Sequence, residues 1–245
     1  MKVLFVSIGL LYSVSILADG TLSNGSFESG NYSGWNTTRL TKPYSGQVSS
    51  EVVRDGQWAS RIELRQGDIS FGGFRAEIKD VFYASHGSSI FYRFGIFIPK
   101  NFPITKTNSC VIAQWHDVDQ EIVKPLQVHS PPLALRFRNG TIDATIERQI
   151  GRSDLSQRIN LYHEPDFALG TWQDFEFRIH WSHRFDGSVE ILRNGLVVSR
   201  YSGPIGFVPD QLSIFGMFLK LGLYCRESPL RPLVIFHDGY LRKYY

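Results

Sequence analysis

Apolar and polar positions alternate with a period of two over most of the chain, the spacing of strands with one face in a core. Ser89 to Pro99 reads SIFYRFGIFIP, an aromatic strand stopped by proline. Leu133 to Glu147 reads LALRFRNGTIDATIE, two alternating runs joined by Asn139-Gly140. Asp174 to Tyr201 reads DFEFRIHWSHRFDGSVEILRNGLVVSRY, with Asp186-Gly187 and Asn194-Gly195 between its runs. Asn-Gly and Asp-Gly accept the positive φ of tight hairpin turns, so three antiparallel hairpins are predicted. No window sustains a helical period. Helix is expected only as short pieces near Pro165 to Ala168 and Phe207 to Leu212.

No linker, low-complexity segment or internal repeat interrupts this pattern. It predicts an all-β fold, a β-jelly-roll sandwich of two antiparallel sheets (concanavalin-like) with one sheet face open as a groove. The composition agrees. Among 245 residues, 18 Phe, 11 Tyr, 5 Trp and 22 Gly stand against 2 Met, a bias towards strands and turns. With 42% hydrophobic and 20% charged residues the chain can bury a core, which excludes overall disorder. No glycine-rich phosphate-binding sequence follows a strand, which argues against a nucleotide-binding α/β fold. The formal net charge of +3 permits an anionic partner without requiring one, and no nucleic-acid partner is expected.

The first residues read MKVLFVSIGLLYSVSILADG. Lys2, an apolar run from Val3 to Leu17 and Ala18 before the cut form a secretory leader over residues 1–18, too short for a confident membrane span. The mature chain, 19–245, is then expected to be one secreted, extracellular domain, monomeric and without a membrane partner. Export permits a disulfide between Cys110 and Cys225, the only cysteines, though the sequence leaves that open. Two cysteines alone cannot build a structural zinc site. Asn24, Asn31, Asn36 and Asn139 sit in glycosylation sequons.

Three segments carry candidate chemistry. In Cys110 to Asp117, CVIAQWHD, alternation puts Trp115 in the core and Gln114 with His116 on the opposite face. An amide beside an imidazole can hold a carboxylate and move a proton. In Phe218 to Arg226, FLKLGLYCR, Lys220, Gly222 and Tyr224 share a face, and the glycine leaves room for a sugar ring or for close backbone approach. In RIELR (Arg61 to Arg65) and FRAEI (Phe74 to Ile78), arginine and glutamate share a face, a carboxylate clamp or an ordinary cross-strand ion pair. His180 reads as structural. His86, His129, His163, His183 and His237 fall near loops or strand ends. Glu63 and Glu77 are the carboxylates that a retaining glycosidase would need close together.

In that order on a β-rich chain, RIELR or FRAEI, QWH and KLGLY resemble the jelly-roll polysaccharide lyases. The nearer resemblance is to the group containing glucuronan lyase and heparin lyase I. A more distant one is to the alginate lyases with R-x-E-L-R, Q-I-H and K-A-G-x-Y. The aromatic strand ending in Ile98-Pro99, GTWQDFEFRIHWS at 170–182 and VEILRNGLVV at 189–198 add to it. The resemblance implies β-elimination on a uronate-containing polysaccharide, with β-1,4-glucuronan the first substrate and heparin-like or alginate-like chains the second. Gln114 and Arg75 would neutralise the uronate carboxylate. His116 would be a base or a carboxylate ligand, and Tyr224 the general acid or the acid/base. Lys220 would bind the sugar chain and favour the phenolate, with Arg61 and Arg65 in reserve for Arg75. In glucuronate the C5 proton and the C4 oxygen leave from the same side, so one residue can serve as base and acid. In guluronate or iduronate they leave from opposite sides, which suits two.

NGSFESG (Asn24 to Gly30) resembles the first strand of jelly-roll carbohydrate-binding modules. In those, Glu28 and Asp238 would be the positions that ligate a structural calcium ion; no organic cofactor is expected. A non-catalytic carbohydrate-binding module or lectin on the same sandwich is the alternative function, and a glycoside hydrolase the third.

Overall fold

The computed structural model describes residues 21–23, 26–105, 109–121, 130–151, 155–209 and 216–245. The expected leader, the sequon at Asn24 and His129 lie outside the described residues. The strands, in chain order, are β1 (Thr21–Ser23), β2 (Trp35–Asn36), β3 (Gly46–Ser49), β4 (Ala59–Leu64), β5 (Phe74–Asp80), β6 (Ser89–Phe97), β7 (Ser109–His116), β8 (Leu133–Arg138), β9 (Thr141–Gln149), β10 (Ser156–Glu164), β11 (Trp172–His180), β12 (Ser188–Arg193), β13 (Leu196–Ser202), β14 (Phe218–Cys225) and β15 (Leu233–Tyr244). They form two antiparallel sheets, the jelly-roll sandwich expected. One runs β13-β12-β11-β6-β15-β4-β3, with β1 added beside β15; the other runs β10-β9-β8-β7-β14-β5-β2.

Alternation explains how the sheets stack. Ala76 and Ile78 of β5, Leu133, Leu135 and Phe137 of β8, and Leu219, Leu221 and Leu223 of β14 all enter one buried cluster. Facing them from the other sheet are Tyr92, Phe94, Phe175, Phe177 and Ile235. Trp115 sits at the middle, fully buried, with its ring 4.6 Å from Phe177 and 5.3 Å from Tyr92. The opposite faces of β5, β7, β8 and β14 are therefore the polar ones.

The two Asn-Gly hairpins form as expected. Asn139 and Gly140 have φ of 51° and 81°, and Asn194 and Gly195 of 49° and 79°, the paired positive values of a two-residue turn. Asp186-Gly187 does not form one. β11 and β12 are joined by the longer stretch 181–187, in which Asp186 accepts a hydrogen bond from Ser182 at 2.6 Å. Gly187 is needed there for space instead: a Cβ would lie 2.5 Å from the carbonyl oxygen of Gly203. The helical pieces expected near 165–168 and 207–212 are also corrected. Residues 165–168 are a bend and irregular chain, 207–209 are irregular, and the rest of the second piece lies outside the described residues. Among the described residues the only helical turn is the 3-10 turn Phe27–Ser29. No helix is long and apolar enough to cross a membrane among the described residues.

Cys110 and Cys225 are bonded, joining β7 to β14 where the two residues stand directly opposite. The bond spans 115 residues of sequence, so it removes much of the freedom of the unfolded chain. Replacing both cysteines by alanine is expected to lower the unfolding free energy by about 5 kcal/mol on the chain-entropy account, read from urea titrations of the two proteins. An unchanged midpoint would show that the link adds nothing.

Candidate active site

Three neighbouring strands bring the predicted residues together. Lys220 of β14 stands opposite Lys79 of β5 on one side and Gln114 of β7 on the other. Tyr224 stands opposite Arg75 on β5 and Val111 on β7, and Phe218 opposite His116. Arg75, Gln114, His116, Lys220 and Tyr224 thus line one cleft of about 350 Å³ on the outer face of the sheet, walled by Phe71 and Pro131. It opens past Tyr224 into a larger chamber of about 910 Å³.

The floor is polar yet nearly dry. Arg75, Glu77, Lys79, Gln114, His116 and Lys220 are each buried, so each needs a partner. Glu77 provides for two of them: it accepts a hydrogen bond from the Gln114 amide and lies 3.7 Å from the Arg75 guanidinium. Arg75 also stacks on Tyr224, its guanidinium carbon 3.8 Å from the ring centroid. The cation against the phenol is therefore Arg75, where Lys220 was expected. Lys79 is held by Asp119 at 2.6 Å and Glu121 at 2.9 Å. Burial works against the Lys79 charge, but these two carboxylates outweigh it and raise its pKa. Glu121 is bound in turn by Arg39, Thr38 and the Asn36 amide. That amide is the group a glycan at the Asn36 sequon would occupy.

Lys220 has no such partner. Among the described residues no carboxylate lies within ion-pair distance of it. Burial, with Arg39 and Arg75 nearby, brings its pKa down to about 7 against the weaker pull of Glu77 and Asp119. Its ammonium is thus poised for an anion arriving from the cleft.

His116 is fixed by its own backbone. The N–H groups of Asp117 and Val118 both point at Nδ1, each at 3.1 Å. The Asp117 carboxylate also lies 3.3 Å from Nδ1 and would favour a proton there, but two N–H groups converge on Nδ1 at shorter range and leave no room for one, so the neutral ring is read with its proton on Nε2. A ring in this state donates a hydrogen bond from Nε2 and cannot take a proton there.

Other expectations change. Arg61 and Arg65 do not reach the cleft: β4 belongs to the other sheet, where Arg61 and Arg65 both bind Glu63, at 2.7 and 2.5 Å. Glu63 and Glu77 therefore lie on different sheets and cannot act as a close carboxylate pair. His237 is no loop residue but a fully buried member of β15. His163, by contrast, lies near a strand end as expected, next to last in β10, and His180 is a strand residue as expected, hydrogen-bonded to Ser89 at the end of β11. Gly222 serves close backbone approach, since a Cβ would meet the Ala76 carbonyl oxygen at 2.3 Å and its φ is +142°.

Glu28 and Asp238 act as clamps on one segment. Glu28 accepts the N–H groups of Gln57 and Trp58, and Asp238 those of Arg54 and Asp55, at 2.9 to 3.2 Å. Burial raises the Asp238 pKa and repulsion from Glu28 adds to it, so the two carboxylates are close enough to feel each other. Two carboxylates are a minority of the six to eight oxygens calcium takes. Among the described residues no group of three or more His, Cys, Asp or Glu side chains is arranged around a cation site.

Sequence reasoning missed the arginines of the larger chamber. Arg136 and Arg138 face it from β8, Arg158 from β10, and Arg226 follows β14. Arg136 lines both chambers, bound to Thr145 and to no carboxylate among the described residues. Burial, with Arg158 close by, brings its pKa down to about 10. The signal was present in LALRFR, where each arginine alternates with a core residue.

The sandwich thus presents a cationic cleft that holds an amide, an imidazole and a phenol. A model of the family described as "Polysaccharide lyase" matches residues 27–240, and the chain belongs to that family. No curated protein matches it. Among solved structures it is similar to the endo-β-1,4-glucuronan lyase of the fungus Trichoderma reesei, with 17% identity, a TM-score of 0.69 and 92% of this chain and 93% of that one covered. It is also similar to the catalytic domain of a glycoside hydrolase family 131 protein from Coprinopsis cinerea (11% identity, TM-score 0.59, 91% and 94% covered). A third is a substrate complex of a family 7 alginate lyase (11% identity, TM-score 0.59, 91% and 97% covered). At these identities the likeness is one of fold.

The cleft floor depends on β14 lying tight against β5. Gly222→Ala is expected to destabilise the protein by on the order of 2 kcal/mol or more, through the blocked approach and the positive φ. Thermal unfolding checks this; an unchanged melting temperature would contradict the close approach.

Proposed function

We propose that this polysaccharide lyase is a secreted, monomeric enzyme that cleaves a chain of uronate residues by β-elimination, with β-1,4-glucuronan as its first substrate. The observation that carries the reading is the convergence of Gln114, His116, Arg75 and Tyr224 on one cleft of the sheet. The leader pattern and the disulfide support secretion.

The proton on C5 is very weakly acidic while the neighbouring carboxylate keeps its full charge. Hydrogen-bond donors on the carboxylate stabilise the enolate-like transition state. Gln114 is suited to this, because Glu77 fixes its amide while one amide hydrogen remains. His116 is suited to it too, because its neutral ring presents a donor. With His116 a donor, proton transfer falls to Tyr224, which would take the C5 proton and return one to the C4 oxygen. A single residue in both roles matches removal from one side, the geometry of glucuronate. The likeness to the glucuronan lyase fold points the same way. Arg136, Arg138, Arg158 and Arg226 beyond Tyr224 suit further acidic groups along the chain.

The decisive assay is ultraviolet absorbance of the unsaturated uronate during incubation with glucuronan, alginate, heparin, hyaluronan and pectate. A rise with glucuronan is expected. Reducing sugar without a double bond would mean a hydrolase, and binding without turnover a carbohydrate-binding module. On the polymer cleaved, Tyr224→Phe is expected to lower kcat by on the order of 100- to 10,000-fold while oligosaccharide binding persists; near-normal turnover would remove Tyr224 from the chemistry.

The lowered Lys220 pKa sets a pH dependence. Only the ammonium pairs with a carboxylate, so bound substrate raises the Lys220 pKa and free enzyme loses the proton near pH 7. KM is expected to be lowest below that pH and to climb above it, by up to tenfold per pH unit until the bound-state pKa is reached. Lys220→Gln should flatten this rise in a series of kinetic measurements across pH.

A further inference from the structure

β7 breaks the alternation that its neighbours keep. On β8 the cleft-facing residues Ala134 and Arg136 are two positions apart. On β7 their partners, Gln114 and Val111, are three apart, and on β14 the partners Lys220 and Tyr224 are four apart. An odd spacing between two residues on the same face requires a slip of one residue, and the register of β7 shifts between Val111 and Ala113 against both neighbours. Consistent with this, Ile112 and Ala113 are consecutive and both buried in the core cluster. The slip decides what the strand shows to the cleft. Ser109 and Val111 set one phase; continued without interruption, it would turn Trp115 outward and put Gln114 and His116 into the core.

One contact from across the sandwich reaches the slip. His237, on β15 of the other sheet, donates from Nε2 to the carbonyl oxygen of Ile112 at 3.2 Å, wholly inside the protein. Its Nδ1 has no partner, which places the proton of the neutral ring on Nε2. Burial keeps the ring neutral, lowering its pKa to about 4.

We propose that His237 is a positioning residue for the active site: its hydrogen bond to Ile112 holds the slip in β7 that turns Gln114 and His116 into the cleft. The contact is made at the residue that changes the phase, two positions before Gln114 and four before His116. The role in turnover rests on the lyase reading; the role in orientation does not.

The test compares His237→Gln, whose amide reaches about as far as Nε2, with His237→Asn, whose amide stops short. Two readouts are taken. Nitrogen NMR of the His116 ring reports its tautomer without any substrate, and kcat and KM are measured on the polymer the native enzyme cleaves. The Asn variant is expected to lose the Nε2–H signature of His116 and to drop about 100-fold in kcat, the scale of a misplaced catalytic group. The Gln variant is expected to keep both near native values. If His237→Asn does not fold, His237→Leu takes its place, being apolar and of similar size. Native His116 signals and kcat in the folded short or apolar variant would overturn the proposal. So would equal losses in the Gln and Asn variants. Should the native enzyme cleave none of the polymers, the lyase reading fails while the NMR comparison still decides the orientation.

Discussion

Glu77 is where the active face of the sheet is balanced. A carboxylate buried beside Arg75, Gln114 and Lys220 offsets positive charge on a surface that water barely reaches. Through Glu77, Gln114 is turned to a fixed angle and Arg75 is drawn over the phenol of Tyr224. Lys79 is taken out of the contest by Asp119 and Glu121, which hold it at one end of the floor. What remains is an unbalanced Lys220 between Gln114 and Lys79, with Arg136 equally unbalanced beyond Tyr224. On the proposed function, this residue of positive charge is what would favour acidic chains: a neutral sugar brings nothing to satisfy it, whereas a uronate would complete it.

The sandwich itself is shared with a glycoside hydrolase fold, so the stacked sheets do not choose the chemistry. The choice is made by side chains. A hydrolase of the retaining kind needs two carboxylates across a short gap. Here the floor carboxylate Glu77 is already engaged by Gln114 and Arg75, and Glu63 serves the outer face of the other sheet. The groups left facing the cleft are donors and a phenol.

Much of this was legible in the chain. Hairpins at Asn139-Gly140 and Asn194-Gly195 could be read because only a few residue pairs accept two positive φ angles in succession. The polar faces of QWH and KLGLY could be read because each strand is long enough for its alternation to be counted. Sheet membership could not. RIELR and FRAEI have the same pattern, and nothing local tells that one strand packs beside β15 and the other beside β14. Asp186-Gly187 misled because its glycine answers to crowding, by the carbonyl oxygens of Gly203 at the end of the neighbouring strand and of Ser182 in its own loop, and not to a positive φ. Arg136 and Arg138 were visible as outward residues, but their meaning needed β8 to be placed next to β7. His237 was hardest, since a histidine in a core strand looks no different in sequence from one at a strand end.

The link between Cys110 and Cys225 joins the two strands that carry Gln114, His116, Lys220 and Tyr224, and it does so beside the phenol. Four working groups contributed by distant stretches of chain are thereby mounted on one cross-braced ladder. The brace forms only where thiols are oxidised. In a reducing environment the two halves of the site would be held by the hydrogen-bonded ladder alone, so the rigidity of the cleft would depend on the redox state of the surroundings as well as on folding.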